Sequence, residues 1–488
     1  MSTATSVWPN LIGGEWLDHG GDGRLDVTDP ADLDTVIASV PALDTADVAA
    51  VYAQAAAGFA EWRAAGPLER ARVLAGAARL LRERAERIAV DLVHEMGKTL
   101  GEATVETAKA ADFLDYYASL ARLPVGQLLA DGRPGVEVAV RTEPVGVVLA
   151  ITPWNDPLLT PARKLAPALF AGNAVVLKPA SETPLAALHL ARALHDAGLP
   201  PGAVGTVTGR TSTIAEALLC DERVAAVTFT GSTAVGAAVR RVLSDRNVRL
   251  QTEMGGKNAS AVLADADLEG AAATVAAAAF GQGGQRCTAT SRVIVDRRVA
   301  AEFAELLAAR ARATRVGPGI ASDTDMGPLV SEAHRSEVLD HVDRARSQGV
   351  RILAGGGMPP HAELSRGCYV MPTVLAGVRA DMAIWREETF GPVASLCEVS
   401  DLDEAIGAVN DSAYGLSAAV FTRSLADATR FAAEVEAGQV AINLPTSGWD
   451  VHQPFGGFRQ SGSAFKEQGL EGLRFYTRAK TVATRAFL

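Results

Sequence analysis

From Val145 onward the chain alternates short apolar runs with longer helical stretches, and this alternation constrains the fold more than any other feature. The runs Gly146–Ile151, Ala174–Leu177, Val204–Val207 and Val224–Phe229 are rich in β-branched residues and carry little polar alternation. Such runs fit strands covered on both faces, as in a parallel sheet. Between them, Thr183-Pro184 offers an N-cap and a first-turn proline, and Gly198 a terminator. The pattern predicts an α/β open sheet whose ligand crevice lies beyond the carboxyl ends of the strands. It resumes after Glu253 with Ser260–Leu263, Ser291–Val295 and Val350–Leu353. Upstream, Thr45–Ala65 and Leu68–Met96 read as helices; in the second, Leu74, Ala78, Leu81, Ile88 and Leu92 keep the helical period.

A length of 488 residues suits two or three domains. The pattern divides into α/β domains over 1–252 and 253–457, with a segment 458–488 behind them. Within that segment, Arg474–Val482 alternates polar and apolar residues as an exposed or intersubunit strand does.

Composition narrows the partners. Hydrophobic content of 48% is too high for disorder, and a net charge of −11 disfavours nucleic acid or an anionic membrane surface as main partner. The four cysteines lie far apart without CxxC pairs, so neither a zinc ribbon nor a disulfide framework is expected, and no metal site is assigned. Met1–Asn10 lacks the basic start and apolar run of a signal peptide. No uncharged apolar run reaches membrane-spanning length, and Ala271–Phe280 reads as a buried helix. The expectation is a cytoplasmic, reducing setting, where a cysteine can stay a free nucleophile.

Cys287 lies in Gly283-Gly-Gln-Arg-Cys-Thr288, where glycines let the backbone approach a substrate. A lone cysteine is more often a small buried hydrophobe, and Cys220, Cys368 and Cys397 are read that way. Three other segments single out Cys287. Thr152-Pro153-Trp154-Asn155 follows an apolar strand, placing Asn155 where the crevice is expected; its amide suits either a turn or a developing oxyanion. Glu253-Met-Gly-Gly-Lys257 sets a carboxylate beside two glycines, which alone could be a surface ion pair. Glu387-Glu388-Thr-Phe-Gly-Pro392 sets a carboxylate beside an aromatic and a tight turn. Phe229-Thr-Gly-Ser-Thr-Ala-Val-Gly236 ends a strand and opens a helix, where N–H groups and the helix dipole can meet a pyrophosphate; its spacing is GxxxxG, not GxGxxG.

In this order, PWN, KPA, FTGST, ExGGK, GQxC, EExFGP and PFGG resemble the aldehyde dehydrogenase superfamily, from about Trp8 to Val482. The resemblance implies a Rossmann-like cofactor domain, an α/β catalytic domain and a small oligomerisation strand element that includes 122–144. It also implies NAD or NADP as cofactor and a homodimer or homotetramer. Cys287 then matches the nucleophile, Glu253 the general base, Asn155 the oxyanion donor beside the Cys287 N–H, and Glu467 a proton-relay carboxylate. Lys178 and Ser181 fall at the adenosine ribose, Glu388 and Phe390 at the nicotinamide ribose. Thr152, Pro153, Trp154, Phe229, Thr230, Gly231, Ser232, Val235 and Met254 complete the cofactor set. The implied chemistry is thiolate attack on an aldehyde, hydride transfer to the nicotinamide, and hydrolysis of the resulting thioester by water that Glu253 activates. CoA-acylating relatives typically lack such a glutamate, so Glu253 argues against that class. Retention of the whole set argues against a catalytically silent relative.

The chain also departs from the family pattern. Thr211 and Ala215 stand where two glycines are usual, and Asp156 and Arg163 where aromatics are common. Lys109 occupies a commonly apolar tunnel position, whereas Trp449 keeps a tunnel-mouth aromatic. Ser181 replaces a glutamate that many NAD-preferring relatives use to hold the ribose, which favours use of NADP; Glu182 is adjacent. Arg163-Lys164 resembles succinate-semialdehyde dehydrogenases, where the arginine holds the substrate carboxylate. The Gly284–Thr288 stretch and Lys466-Glu-Gln-Gly469 look like the 2-oxoglutarate-semialdehyde branch. The expected substrate is a carboxylated semialdehyde, contacted by Arg163, Asp156, Lys109, Arg286, Thr288, Trp449 and Phe455. The alternative is an Asp156–Arg163 ion pair, which would leave the tunnel neutral and suit a neutral polar or aromatic aldehyde.

Overall fold

The computed structural model describes residues 6–123 and 126–485. Residues 1–5 of the Met1–Asn10 stretch, 124–125 of the 122–144 segment and 486–488 of the tail lie outside the described residues.

Four of the expected runs form one sheet. Five parallel strands lie in the order Arg249–Met254, Val224–Gly231, Val147–Ile151, Ala174–Lys178 and Val204–Thr206. Numbered along the chain, that is the Rossmann-like order 3-2-1-4-5 read from the other edge. Alternate residues enter two cores, because side chains of a strand point to opposite faces. Val148, Ala150, Val175 and Leu177 join the core under α2 (Pro67–Glu83), α3 (Ala85–Met96), α4 (Leu100–Ser119), α5 (Leu159–Ala171) and α6 (Leu185–Asp196). Leu149, Val176 and Val227 join the other, with α1 (Thr45–Ala64) and α7 (Thr211–Cys220). After Gly231 the chain turns into α8 (Thr233–Val242), capped by the Ser232 hydroxyl, which accepts from the Val235 N–H.

A second sheet has seven strands: Arg351–Ala354, Thr373–Ala376, Val393–Val399, Arg292–Asp296, Ala259–Val262, Ser417–Phe421 and Gln439–Ile442. All pairings are parallel except the first, so Arg351–Ala354 is an antiparallel edge and does not continue the parallel alternation. α9 (Leu268–Phe280) and α10 (Ala300–Ala313) cover one face, and α11 (Glu332–Ser347) packs on the other. The Ala-rich run is the buried α9, as expected. A third, antiparallel sheet joins Thr477–Arg485 to Val136–Pro144 and Gly126–Leu129. The division expected at 252/253 falls inside the strand Arg249–Met254, which pairs along its whole length with Val224–Gly231.

Two local expectations need correction. Leu68–Met96 is two helices, broken at Arg84 (φ −103°, ψ 8°), whose guanidinium pairs with Asp196 on α6. Thr183 does not cap α6; its hydroxyl donates to the Trp154 carbonyl. The free N–H groups of Leu185 and Ala186 are instead taken by the buried carboxylate of Glu95, from α3, at 2.8 and 2.9 Å. α5 likewise lacks a local cap, and the buried Glu106 of α4 accepts from the N–H groups of Leu158 and Leu159 at 2.9 and 3.0 Å. In both cases a long-range carboxylate does the work that sequence neighbours usually do.

Candidate active site

The first sheet reverses its strand order between Val147–Ile151 and Val224–Gly231, and the segments leaving those two strands border a cleft. Of the cofactor residues expected, Pro153, Trp154, Thr230, Gly231, Ser232, Met254, Glu388 and Phe390 line it, together with Asn155 and Cys287. Thr152, Lys178, Ser181, Phe229 and Val235 do not line this cleft. Phe229 is a core side chain, and a Cβ on Gly231 would lie 2.7 Å from its ring. Val235 lies exposed on α8. Lys178 is buried, and its ammonium makes a hydrogen bond to the Pro179 carbonyl at 2.7 Å; burial draws its pKa down to about 8. The Ser181 hydroxyl donates to the Gly209 carbonyl at 3.3 Å.

The donor set suits a dinucleotide. The N-terminus of α8 opens on the cleft, Lys178 lies at the end of a neighbouring strand with hydrogen-bonding capacity to spare, and Glu388 reaches across from the second sheet's side. Glu388 Oε1 accepts from the Gly256 N–H at 2.9 Å. Gly255 is obligatory beneath it, because a Cβ there would stand 1.9 Å from the carboxylate.

A second cavity meets the cleft at Cys287, which lines both. All seven expected substrate residues line this tunnel: Lys109, Asp156, Arg163, Arg286, Thr288, Trp449 and Phe455. Cys287 is brought there by an irregular turn, with Gln282, Gly283 and Gly284 all at positive φ. Gly284 packs so close to the Gly391 carbonyl that a Cβ would approach it to 2.2 Å. Burial pushes the Cys287 thiol well above its usual range, and the Glu253 carboxylate adds to this. Glu253 is buried with Oε1 accepting from the Gly457 N–H at 3.3 Å and Oε2 without a partner. Burial, reinforced by Glu467, raises its pKa to about 8.

Asn155 is held by its own carbonyl, which accepts from the Lys98 ammonium at 2.9 Å and the Gln282 amide at 2.5 Å. One side-chain amide hydrogen goes to the Gln285 carbonyl at 3.0 Å. The amide has a second hydrogen to offer. Lys98 also meets Glu106 and, at 3.5 Å, Asp156. Burial alone would raise the pKa of Asp156, but Lys98, Arg286 and Arg163 hold it below the usual carboxylate value. Lys98, Glu106 and Gln282 were not among the residues expected from sequence. Removing Lys98 leaves Glu106 buried and unpaired. Lys98→Met is therefore expected to destabilise the protein by about 3–5 kcal/mol, read as a lower urea midpoint, and Glu106→Gln in the same chain to recover part of it.

The Asp156–Arg163 ion pair does not form. Asp156 precedes α5 and turns toward Lys98 and Gln282. Arg163 lies 3.6 Å from Glu467, with its guanidinium 4.6 Å from the Phe455 ring centre and 5.7 Å from that of Phe113. Glu467 also takes Lys164, whose ammonium donates to Thr228 at 2.8 Å. Residues 334, 337 and 341 of α11, a face the sequence did not flag, add His334, Glu337 and His341 to the cleft. Among the described residues no cluster of metal-ligating side chains occurs, and no helix is long and apolar enough to cross a membrane.

A model of the aldehyde dehydrogenase family matches residues 16–482. The chain belongs to the aldehyde dehydrogenase family. It is 43% identical to an alpha-ketoglutarate semialdehyde dehydrogenase of Haloferax volcanii, over 97% of this chain and 98% of that one. It is 39% identical to a 2,5-dioxopentanoate dehydrogenase of Saccharolobus solfataricus, over 96% and 97%. Among solved structures, betaine aldehyde dehydrogenase of Staphylococcus aureus in complex with NAD+ superposes with a TM-score of 0.95 at 31% identity, covering 98% of this chain and 95% of that chain. As an aldehyde dehydrogenase, the chain is an NAD(P)-dependent enzyme, and Cys287 stands where its two cavities join.

Proposed function

We propose that this aldehyde dehydrogenase oxidises a carboxylated semialdehyde of the 2-oxoglutarate-semialdehyde or succinate-semialdehyde type to the dicarboxylic acid. The observation that carries the proposal is a tunnel ending at Cys287 whose wall carries four cations, Lys98, Lys109, Arg163 and Arg286, against three carboxylates, Glu102, Glu106 and Asp156. The names of the Haloferax and Saccharolobus relatives support it. An aldehyde panel tests it: succinate semialdehyde is expected to outperform butanal in kcat/KM, and the reverse order would overturn the substrate class.

In this reading the cleft holds the dinucleotide. Lys178 and Ser181, outside the cleft's own lining, are assigned to its adenosine end, and the α8 N-terminus with Thr230, Gly231 and Ser232 to its pyrophosphate. Trp154, Met254, Glu388 and Phe390 sit toward the nicotinamide, and the bound nicotinamide supplies the acceptor for the aldehyde's hydride. The Cys287 thiolate attacks the aldehyde carbon, and the C–S bond forms as the carbonyl pair moves onto oxygen. The Asn155 amide and the Cys287 N–H stabilise that oxyanion, a role worth about 2.7–4 kcal/mol per donor. Glu253 takes a proton from water, the oxygen adds to the thioester carbon, and the C–S bond breaks to release the acid and restore the thiolate. Glu467, ion-paired with Lys164 and Arg163, relays the proton from Glu253 outward.

The hydroxyl of Ser181 carries no charge to repel a 2′-phosphate, so NADP is expected to be used alongside or in preference to NAD. Ser181→Glu should lower kcat/KM with NADP by about tenfold or more, a like-charge cost above about 1.4 kcal/mol. A strong NAD preference that Ser181→Glu leaves unchanged would contradict this account. A homodimer or homotetramer is part of the same proposal: Leu128 and Leu129, at 74% and 47% exposure on the third sheet, offer apolar surface to a second copy.

A further inference from the structure

We propose that Lys109, rather than Arg163, supplies the charge that holds the distal carboxylate of the substrate; the inference rests on the semialdehyde reading above. The tunnel wall carries Lys98, Lys109, Arg163 and Arg286 against Glu102, Glu106 and Asp156. Three of the four cations have a carboxylate within ion-pair distance inside the protein. Lys98 is buried against Glu106 and Asp156. Arg286 donates to Gln282 at 2.9 Å and lies 3.7 Å from Glu102. Arg163 faces Glu467 at 3.6 Å, and aromatic rings flank its guanidinium.

The carboxylates are spent as well. Glu106 caps α5, Glu102 accepts from the N–H groups of Thr99 and Gln282, and Asp156 accepts from Gln282. Lys109 differs. Among the described residues it has no carboxylate within ion-pair distance, and its ammonium makes one long contact, 3.5 Å, to the Trp449 carbonyl. Three N–H donors on one flexible stem thus stand in the tunnel wall with most of their capacity unfilled. α4 puts them there, because Glu102, Glu106, Lys109 and Phe113 recur at helical spacing and all line the tunnel. Lys109 lies on that face between Glu106, beside the Asn155 loop, and Phe113, beside Arg163. An anion bound to Lys109 gains a free charge. One bound to Arg163 has to compete with Glu467.

The test is the ratio of kcat/KM for succinate semialdehyde over butanal, measured in the full chain and in Lys109→Met, Lys109→Arg and Arg163→Leu, with glutarate inhibition alongside. Lys109→Met is expected to lower the ratio and weaken glutarate inhibition by about tenfold to a hundredfold, the worth of one charge-assisted hydrogen bond. Lys109→Arg should recover most of the loss, which a merely structural role for the lysine stem would not predict. An unchanged ratio in Lys109→Met, or a fall confined to Arg163→Leu, would overturn the proposal while leaving the semialdehyde reading standing. A parent enzyme with no preference for the acid over butanal would remove that reading, and this inference with it.

Discussion

Cys287→Ala is expected to abolish dehydrogenase turnover, a fall of about 10⁵-fold or more, because removing a nucleophile leaves only binding and oxyanion stabilisation. No other thiol can substitute. Cys368 is buried in the core against the second sheet, Cys220 closes α7 on the surface, and Cys397 lies in the strand Val393–Val399. Cys287 alone lines both cavities. Replacing its sulfur with hydrogen at a half-buried position should leave the fold intact, so thermal melting and dinucleotide binding ought to match the parent. Measurable NADH formation from an aldehyde by this variant would remove the role assigned to Cys287.

Glu253→Gln should separate the two halves of the reaction. Acyl transfer to Cys287 does not need the carboxylate, whereas hydrolysis of the thioester does, so a covalent adduct should accumulate on Cys287. Intact-mass measurement after mixing with aldehyde and cofactor reads it, and steady-state turnover should fall by about 10²–10⁴-fold, the usual share of a general base. The parent enzyme should show the same dependence in its pH profile. Burial and Glu467 raise the Glu253 pKa to about 8, and a base acts only when ionised. Hydrolysis should therefore be slow at pH 6 and rise as pH passes through about 8. A flat profile across that range, or full turnover in Glu253→Gln, would count against the assignment.

Four of the five strands of the first sheet were legible because they are largely apolar runs leading into a motif; the fifth, Arg249–Met254, mixes arginine, glutamine, threonine and glutamate with two apolar residues and gave no such signal. The second sheet was harder: Thr373–Ala376, Ser417–Phe421 and Gln439–Ile442 are short, and each opens on a polar residue. The seven substrate residues converge on one tunnel although they come from four separate parts of the chain, since motif order fixes which loops meet at the crevice. What stayed hidden is long-range pairing. The aspartate of a plausible Asp156–Arg163 pair goes to Lys98, and the arginine to Glu467, more than 300 residues later in the chain. Spacing along a helix identifies partners within two turns and says nothing about those. The same blindness hid Glu95 and Glu106, which look like ordinary polar residues of amphipathic helices yet are buried.

Those two glutamates also bear on the order in which the chain folds. α5 carries Arg163 and Lys164, and α5 and α6 supply much of the core on one face of the first sheet, yet neither can finish its own first turn; each borrows an acceptor from α4 or α3. An isolated helix of twelve or thirteen residues is marginal in water even when well capped. Here the missing acceptor arrives only on docking, across 52 and 90 positions of chain for the first bond of each cap. The helix pairs must therefore assemble as units, and nascent chains that have emitted α5 but not yet collapsed onto α4 hold it frayed. Cooperativity is built into these contacts: the local structure of one segment is a reward for having found another.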